Sequence, residues 1–504
     1  MPDDTLPDFD LTKLDNIQNA PLIIAIAGHA NHGKTSVVRT LCRLPEFGEV
    51  RDFPGVTKLV SGVKFKIVGK TYLIMFDTPG FQNSTQAIEH CGDQFKIDDI
   101  RRFFADSQEF NDDLKALDQV ISSQVVLYVI DGTCEPTESL KCDFRLLARS
   151  GVPVIPMFNF TKNGTTATHL AWTDFLHHNN YHLEVKYDAH FYRPEHEHDL
   201  YEKVRVLLKD PLHRTFFDWH VAWRKTVEQN MAHSAIVEMA EMLLDCSTYC
   251  EQVSKVDSSN KNSAEKAATD RFVKAIARRE SQGFQKMVAA YQFKPELLEQ
   301  RTDPAERNSL WKAELFGNEI KRHLGIGVAG GASAGFVSVG FVDLLTAGHL
   351  LGVPTLIGTI AGAVLGAFSG GLFNSKWDRA SHSLRIESTE KMRRALVERS
   401  LQLLKNLQHR GMADQRDFVV SDTASSNLGA TLNKGFLAAL ANAKADFDKL
   451  SQELTNVASQ PNLCRIDVET LSVRMPDEKD RHDRLLEIQK RLKALDVKVE
   501  SSED

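Results

Sequence analysis

Short apolar runs of β character punctuate the first two hundred residues: Leu22 to Ala27, Leu59 to Val68, Tyr72 to Phe76, Val125 to Ile130, Val152 to Phe158 and His182 to Tyr187. Turn signals and helical stretches separate them, the alternation expected of an α/β domain. From about 200 to 323 the apolar positions move to three-and-four spacing among abundant charge. This predicts helices over Ala235 to Leu244, Ala264 to Tyr291 and Asp303 to Leu324, with a polar connector at Asp257 to Ser263. Helical spacing resumes from Ser375 to Gln408, with a stripe of Leu396, Leu403, Leu404 and Leu407. A loop-rich patch at Ser421 to Gly429 follows, and Leu485, Ile488, Leu492 and Leu495 mark a last amphipathic helix.

These shifts divide the 504 residues into an acidic leader (1–20), an α/β domain (21–200), a helical region (201–323), a glycine-rich apolar segment (324–373) and a helical C-terminal region (374–504). So long a chain needs more than one core. A net charge of −7 supplies no global basic field, so nucleic acid is not an expected partner. Seven scattered cysteines point to reduced thiols in the cytosol, with Cys246 and Cys250 on one face of a predicted helix. Acids at Asp3, Asp4, Asp8 and Asp10 stand where a secretory signal carries bases, which predicts a cytoplasmic protein. Six histidines between His177 and His198 lack the repeated spacing of a structural zinc site and are expected on exposed loops and helices.

Chemistry concentrates where the first apolar run ends. Gly28-His29-Ala30-Asn31-His32-Gly33-Lys34-Thr35 satisfies G-x-x-x-x-G-K-[ST] in full, between a strand and a helical stretch opened by Ser36. Its glycines let the backbone wrap a phosphate, so that successive N–H groups from Gly28 to Ser36 and a helix N-terminus face the anion. Lys34 is placed to reach β- and γ-phosphates, and the Thr35 hydroxyl to ligate Mg²⁺. Asp77-Thr78-Pro79-Gly80 follows 43 positions after Lys34, at the end of another strand. There Asp77 is expected to hold the metal, and Gly80 to offer its N–H to the γ-phosphate. Between the two, Thr57 in Pro54-Gly55-Val56-Thr57-Lys58 is ordered to cap the Mg²⁺.

This order of motifs resembles the small GTPases of the TrmE–Era–EngA group over about residues 20 to 190. The resemblance implies a Ras-like P-loop G domain, mostly parallel in its sheet with helices on both faces, joined to a mainly α-helical part. It implies GTP and GDP as ligands, Mg²⁺ as cofactor and pairing of G domains. Asn31 stands where TrmE-like members carry a potassium-coordinating asparagine. Phe81 stands where Ras-type enzymes keep the glutamine that orients water, so the resemblance implies slow hydrolysis unless K⁺ or a partner in trans assists. The base motif departs further. Asn159-Phe160-Thr161-Lys162 keeps the asparagine, but Lys162 replaces the carboxylate that would accept from guanine. Ala189 in Tyr187-Asp188-Ala189-His190 is a candidate for the fifth, base-facing loop.

Residues 324 to 373 hold 13 of the chain's 29 glycines and only two ionisable groups, Asp343 and His349. Each arm of this segment is long enough to span a bilayer, which takes about 20 residues. Gly358, Gly362, Gly366 and Gly370 repeat at spacing four, as do Gly327, Gly331 and Gly335, a pattern that permits close helix contact in lipid. Lys321, Arg322, Lys376 and Arg379 flank the segment in keeping with the positive-inside bias. The expectation is a helical hairpin engaging the cytoplasmic face of the inner membrane; the alternative is a hairpin buried in the helical part. The whole layout is similar to a bacterial family in which a GTPase is fused to a C-terminal domain of unknown function.

Overall fold

The structure, a computed structural model, describes residues 16–17, 20–48, 61–160, 165–295, 373–414, 436, 439–440, 442–465 and 477–500. Asp303 to Leu324, the apolar segment up to residue 372, the patch at Ser421 to Gly429, Thr57 and Lys162 lie outside the described residues. The chain divides into two compact units, Met1–Asn230 with Gln408–Gln415, and Met231–Leu407 with Arg416–Asp504.

The first unit is built on six strands: β1 (Leu22–Gly28), β2 (Ser61–Ile67), β3 (Lys70–Asp77), β4 (Val125–Asp131), β5 (Val154–Asn159) and β6 (Val185–Lys186). Their order across the sheet is β2-β3-β1-β4-β5-β6, with only β2 antiparallel to its neighbour. All six predicted strands are present. The central ones are apolar on both sides because both sides are covered. Leu22, Ile24 and Ile26 of β1 and Val125, Leu127 and Val129 of β4 pack on one face. That face receives α1 (Lys34–Cys42) and α7 (Pro194–Leu207). Ala25 and Ala27, with Val126, Tyr128 and Ile130, pack on the other, beneath α2 (Ser84–Cys91), α3 (Ile97–Ala105), α4 (Asn111–Ile121), α5 (Glu138–Ser150) and α6 (Thr166–His178). This is the Ras-like G-domain fold, with helices on both faces of a mostly parallel sheet.

The second unit is mainly helical. The long α8 (Pro211–Thr248) reaches it, and α9 (Lys261–Ala290), α10 (Glu390–Gln408), α11 (Lys444–Ala458) and α12 (Glu478–Glu500) follow. The expected stripes are its core: Leu396, Leu403, Leu404 and Leu407 on α10, and Leu485, Ile488, Leu492 and Leu495 on α12, are buried.

Two sequence expectations fail here. The helix predicted from Ser375 begins only at Glu390. The residues before it form a hairpin of β8 (Phe373–Asp378) and β9 (Ser383–Ser388), which joins β7 (Cys250–Ser254) in an antiparallel sheet. In β9, Leu384 and Ile386 alternate as buried positions with half-exposed neighbours. That two-residue period was hidden inside charged text that also fits a helix. Cys250 opens β7 instead of sharing a helical face with Cys246, because the helix ends at Thr248. All seven cysteines are free thiols.

A buried arginine cluster ties this unit together. Asp245 accepts from Arg279 at 2.9 Å and from Arg481 at 3.0 Å, and Arg481 also pairs with Glu241. Arg399 pairs with Glu280 at 2.9 Å. Arg481 and Arg279 are almost wholly buried, and a guanidinium there needs each of these acceptors.

Candidate nucleotide site

The loop between β1 and α1 lies at the C-terminal ends of the parallel strands, the place where such sheets bind ligands. Close approach of backbones dictates its glycines. A Cβ on Gly28 would sit 2.6 Å from the Val129 carbonyl, and one on Gly33, at φ 86°, 2.3 Å from Asn159 Nδ2. Asn31 takes a left-handed φ of 65°, which asparagine tolerates better than most residues. Gly80 approaches so closely that a Cβ would lie 2.6 Å from the Ala30 nitrogen and 2.9 Å from Lys34 Nζ. The second motif is thus pressed onto the first, and a short parallel bridge between His29 and Phe81 continues the pairing of β1 with β3.

Lys34 is buried and donates to the His29 carbonyl at 2.7 Å. Loss of hydration lowers its pKa to about 8, against the opposing pull of Asp77 and Asp143. The Thr35 hydroxyl donates to Asp77 Oδ2 at 2.6 Å, while Asp77 Oδ1 is buried without a partner. Burial raises the Asp77 pKa to about 6, with Thr35, Lys34 and Arg39 pulling the other way. A hydroxyl and a carboxylate in contact, with one oxygen orphaned, fit a divalent cation that would satisfy both. Ser36 is buried at the start of α1.

The base side is assembled around Asn159, which is fully buried. Its Nδ2 donates to the His32 carbonyl at 3.1 Å and its Oδ1 accepts from the Ala189 N–H at 3.0 Å. One side chain therefore staples the phosphate loop to the loop after β6, where Ala189 was expected. Thr40 of α1 adds a second staple by donating to the Ala189 carbonyl at 2.8 Å. Next along the chain, Phe160 adopts φ 54° and lays its ring against Gly33, with the His190 ring 5.3 Å away. Asp188 accepts from the N–H groups of His190 and Phe191 at 2.9 and 3.2 Å, which fixes this loop.

Phe81 is buried in the core cluster that holds Ala87 and Ile88. The residue that follows Gly80 is therefore part of the packing of this face. Two buried acids escaped the sequence reading. Asp113 of α4 accepts from the N–H groups of Gln82 and Asn83 at 2.8 and 3.1 Å, pinning the chain just past Gly80. Asp143 of α5 accepts from Tyr128 at 2.6 Å and lies 3.4 Å from His29 Nδ1. The only signal for Asp143 was an acid on the apolar face of α5, beside Leu140 and Phe144.

Fold and loop define a P-loop GTPase domain. A profile described as "50S ribosome-binding GTPase" matches residues 23–159, which span β1 to the Asn159 staple. The chain belongs to the family of the domain of unknown function DUF3482, which matches residues 174–469. No curated protein matches it. Among solved structures, it is similar to Era in complex with MgGDPNP and a 16S ribosomal RNA segment, at 17% identity and a TM-score of 0.27, over 48% of this chain and 74% of that one. It is similar also to Era of Aquifex aeolicus bound to GDP·AlF4⁻, at 18% identity and 0.27, over 58% and 98%. The bacterial dynamin GTPase LeoA from ETEC matches at 13% identity and 0.23, over 98% and 94%.

Proposed function

We propose that this protein binds and hydrolyses GTP as a Mg²⁺-dependent switch, and that the helical unit is what the switch acts on. One observation carries the reading: Lys34, Thr35, Asp77 and Gly80 meet at one point, where a buried ammonium, a hydroxyl and a half-satisfied carboxylate converge. The N–H groups from Gly28 to Ser36 and Lys34 hold the phosphates, and Thr35 and Asp77 hold Mg²⁺ with Thr57. Mg²⁺, held there, would neutralise phosphate charge. Gly80 lies against Ala30 and Lys34, so its N–H is where a γ-phosphate is sensed. Asn159 holds the base-side loop, and Lys162 is assigned to the base motif on sequence alone.

Turnover is slow unless K⁺ at Asn31, or a partner, assists, since the apolar Phe81 cannot orient the attacking water. The reading extends to pairing of G domains and to the cytoplasmic face of the inner membrane through residues 324–373, both on sequence alone. Among the described residues, no helix is long and apolar enough to cross a membrane. The decisive experiment measures GTP turnover in Mg²⁺ with Na⁺ or K⁺, alongside partition of the protein between membrane and soluble fractions. Absence of turnover under every condition rejects the enzyme, and a wholly soluble pool rejects the membrane arm. The profile's description supports a second reading, a ribosome-directed GTPase, against which the charge of −7 speaks. Co-sedimentation with ribosomes decides it.

A further inference from the structure

Beneath the phosphate loop lies a charge that a phosphate-binding site does not need. Asp143 is fully buried, yet it stands in the layer directly under His29. Its Oδ2 accepts from Tyr128 at 2.6 Å and lies 3.4 Å from His29 Nδ1, while its Oδ1 is buried without a hydrogen-bond partner. His29 in turn carries the carbonyl that receives the Lys34 ammonium at 2.7 Å. Tyr128 on β4 thus anchors Asp143 on α5 by a hydrogen bond, Asp143 approaches the His29 ring at 3.4 Å without a hydrogen bond to Nδ1, and the His29 peptide carries Lys34.

The arrangement bears on the burial of Lys34. A buried ammonium without phosphate has lost its hydration and must find anions and carbonyls instead. Asp77 is one counter-anion, but Mg²⁺ claims Asp77 when nucleotide binds. Asp143 cannot be claimed in that way, because it lies in the core behind the loop. When nucleotide arrives, its phosphates take over Lys34, and Asp143 becomes a like charge close behind them. In a medium of low permittivity such a charge acts over several ångströms with little screening.

We infer that Asp143, acting through His29, is a positioning residue that parks Lys34 on the His29 carbonyl in the free protein and thereby weakens the hold on nucleotide. This rests on the GTPase reading above and deepens it. A site with its own competing anion releases product diphosphate faster than the phosphate loop alone would allow, which suits a switch that reloads without an exchange partner.

The sign of the effect separates this role from a merely structural one. Asp143→Asn keeps the shape and still accepts from Tyr128, but removes the charge. Stopped-flow release of a fluorescent guanosine diphosphate analogue is measured for wild type, Asp143→Asn and Tyr128→Phe at fixed Mg²⁺. The expected result is release slowed about five- to tenfold in Asp143→Asn, with the dissociation constant lowered to match. In Tyr128→Phe, which frees Asp143 from its anchor and leaves its charge, release changes by less than about twofold. If Asp143→Asn binds more weakly, or releases at the wild-type rate, the inference is wrong and Asp143 is a packing residue. If Asp143→Asn does not fold, His29→Gln takes its place. It breaks the contact that lets Asp143 act on the loop, and release slowed severalfold supports the inference whereas faster or unchanged release overturns it. Wild type that binds no nucleotide defeats the GTPase reading itself, a result distinct from any of these.

Discussion

The two ends of the nucleotide site follow different rules. At the phosphate end every residue class the chemistry demands is in place, and backbone approach enforces it: Gly28, Gly33 and Gly80 leave no room for a Cβ. At the base end the scaffold is kept and the reading head is changed. Asn159 still joins the phosphate loop to the Ala189 loop, but Phe160 occupies the space against Gly33, and a lysine follows where an acceptor is expected. The difference teaches that architecture and base selectivity are separable. Asn159 joins the two loops by its own side chain, and it is the position proposed to read the base that departs from the motif.

The comparison is tested hardest at Lys34. Lys34→Ala removes the buried ammonium at the phosphate end, and nucleotide affinity is expected to fall at least about a hundredfold, the worth of a strong charge-assisted contact. Equilibrium binding of a fluorescent GTP analogue measures it, and wild-type affinity in the variant would end the assignment of the phosphate end. Asn159→Ala comes next. It leaves the Ala189 N–H and the His32 carbonyl unpaired in the core, for about 2–3 kcal/mol of stability in denaturant unfolding and roughly tenfold weaker binding. Loss of stability without loss of binding would mean that the staple serves the fold alone.

Acidity sharpens the phosphate end further. The Asp77 pKa is raised to about 6 in the free protein, so the fold favours its neutral form. That contribution to stability is present at acid pH and is lost as pH rises through about 6. Mg²⁺ needs the carboxylate, so Mg²⁺-supported binding runs the opposite way and falls up to about tenfold per unit below pH 6. Lys34, lowered to about 8, must be charged to hold phosphate, so association also declines above that value. A bell between about 6 and 8 in association rate against pH is the expected outcome, and Asp77→Asn should flatten its acid limb.

What was legible in the chain divides along the same line. The phosphate end is local: eight consecutive residues and one strand end carry its chemistry, and their spacing is imposed by the size of a phosphate. The six strands were legible because central parallel strands are apolar throughout, as in Val125 to Ile130. The contacts that set the character of the site are not local. Asp143 meets His29 across 114 positions and Ala189 meets Asn159 across 30, and no periodicity marks such pairs. The β8–β9 hairpin was lost for a different reason. Residues such as Lys376, Arg385 and Glu387 suit a helix as well as the partly exposed face of a sheet, and only pairing with β7 decides between them.

At the base end the effects are smaller and share a cause. The Phe160 ring is held in place by a left-handed backbone and the close approach of Gly33, so it offers a fixed aromatic surface beside the loop. Phe160→Ala is expected to weaken GTP and ATP alike, by about three- to fivefold, the modest value of one stacked ring.

The smallest effect concerns the exocyclic amine of guanine. Ordinary discrimination of GTP from ITP requires an acceptor for that amine. Lys162 offers only donors. With a lysine where the family pattern has the accepting carboxylate, GTP and ITP should compete for the site within about threefold of each other, since an unread polar group changes affinity little when it stays in water. Lys162→Asp should then restore the preference for GTP by supplying the acceptor on an otherwise intact scaffold. A strong preference for GTP in the unaltered protein would instead place an acceptor for the amine elsewhere, and the base end would prove as fully specified as the phosphate end.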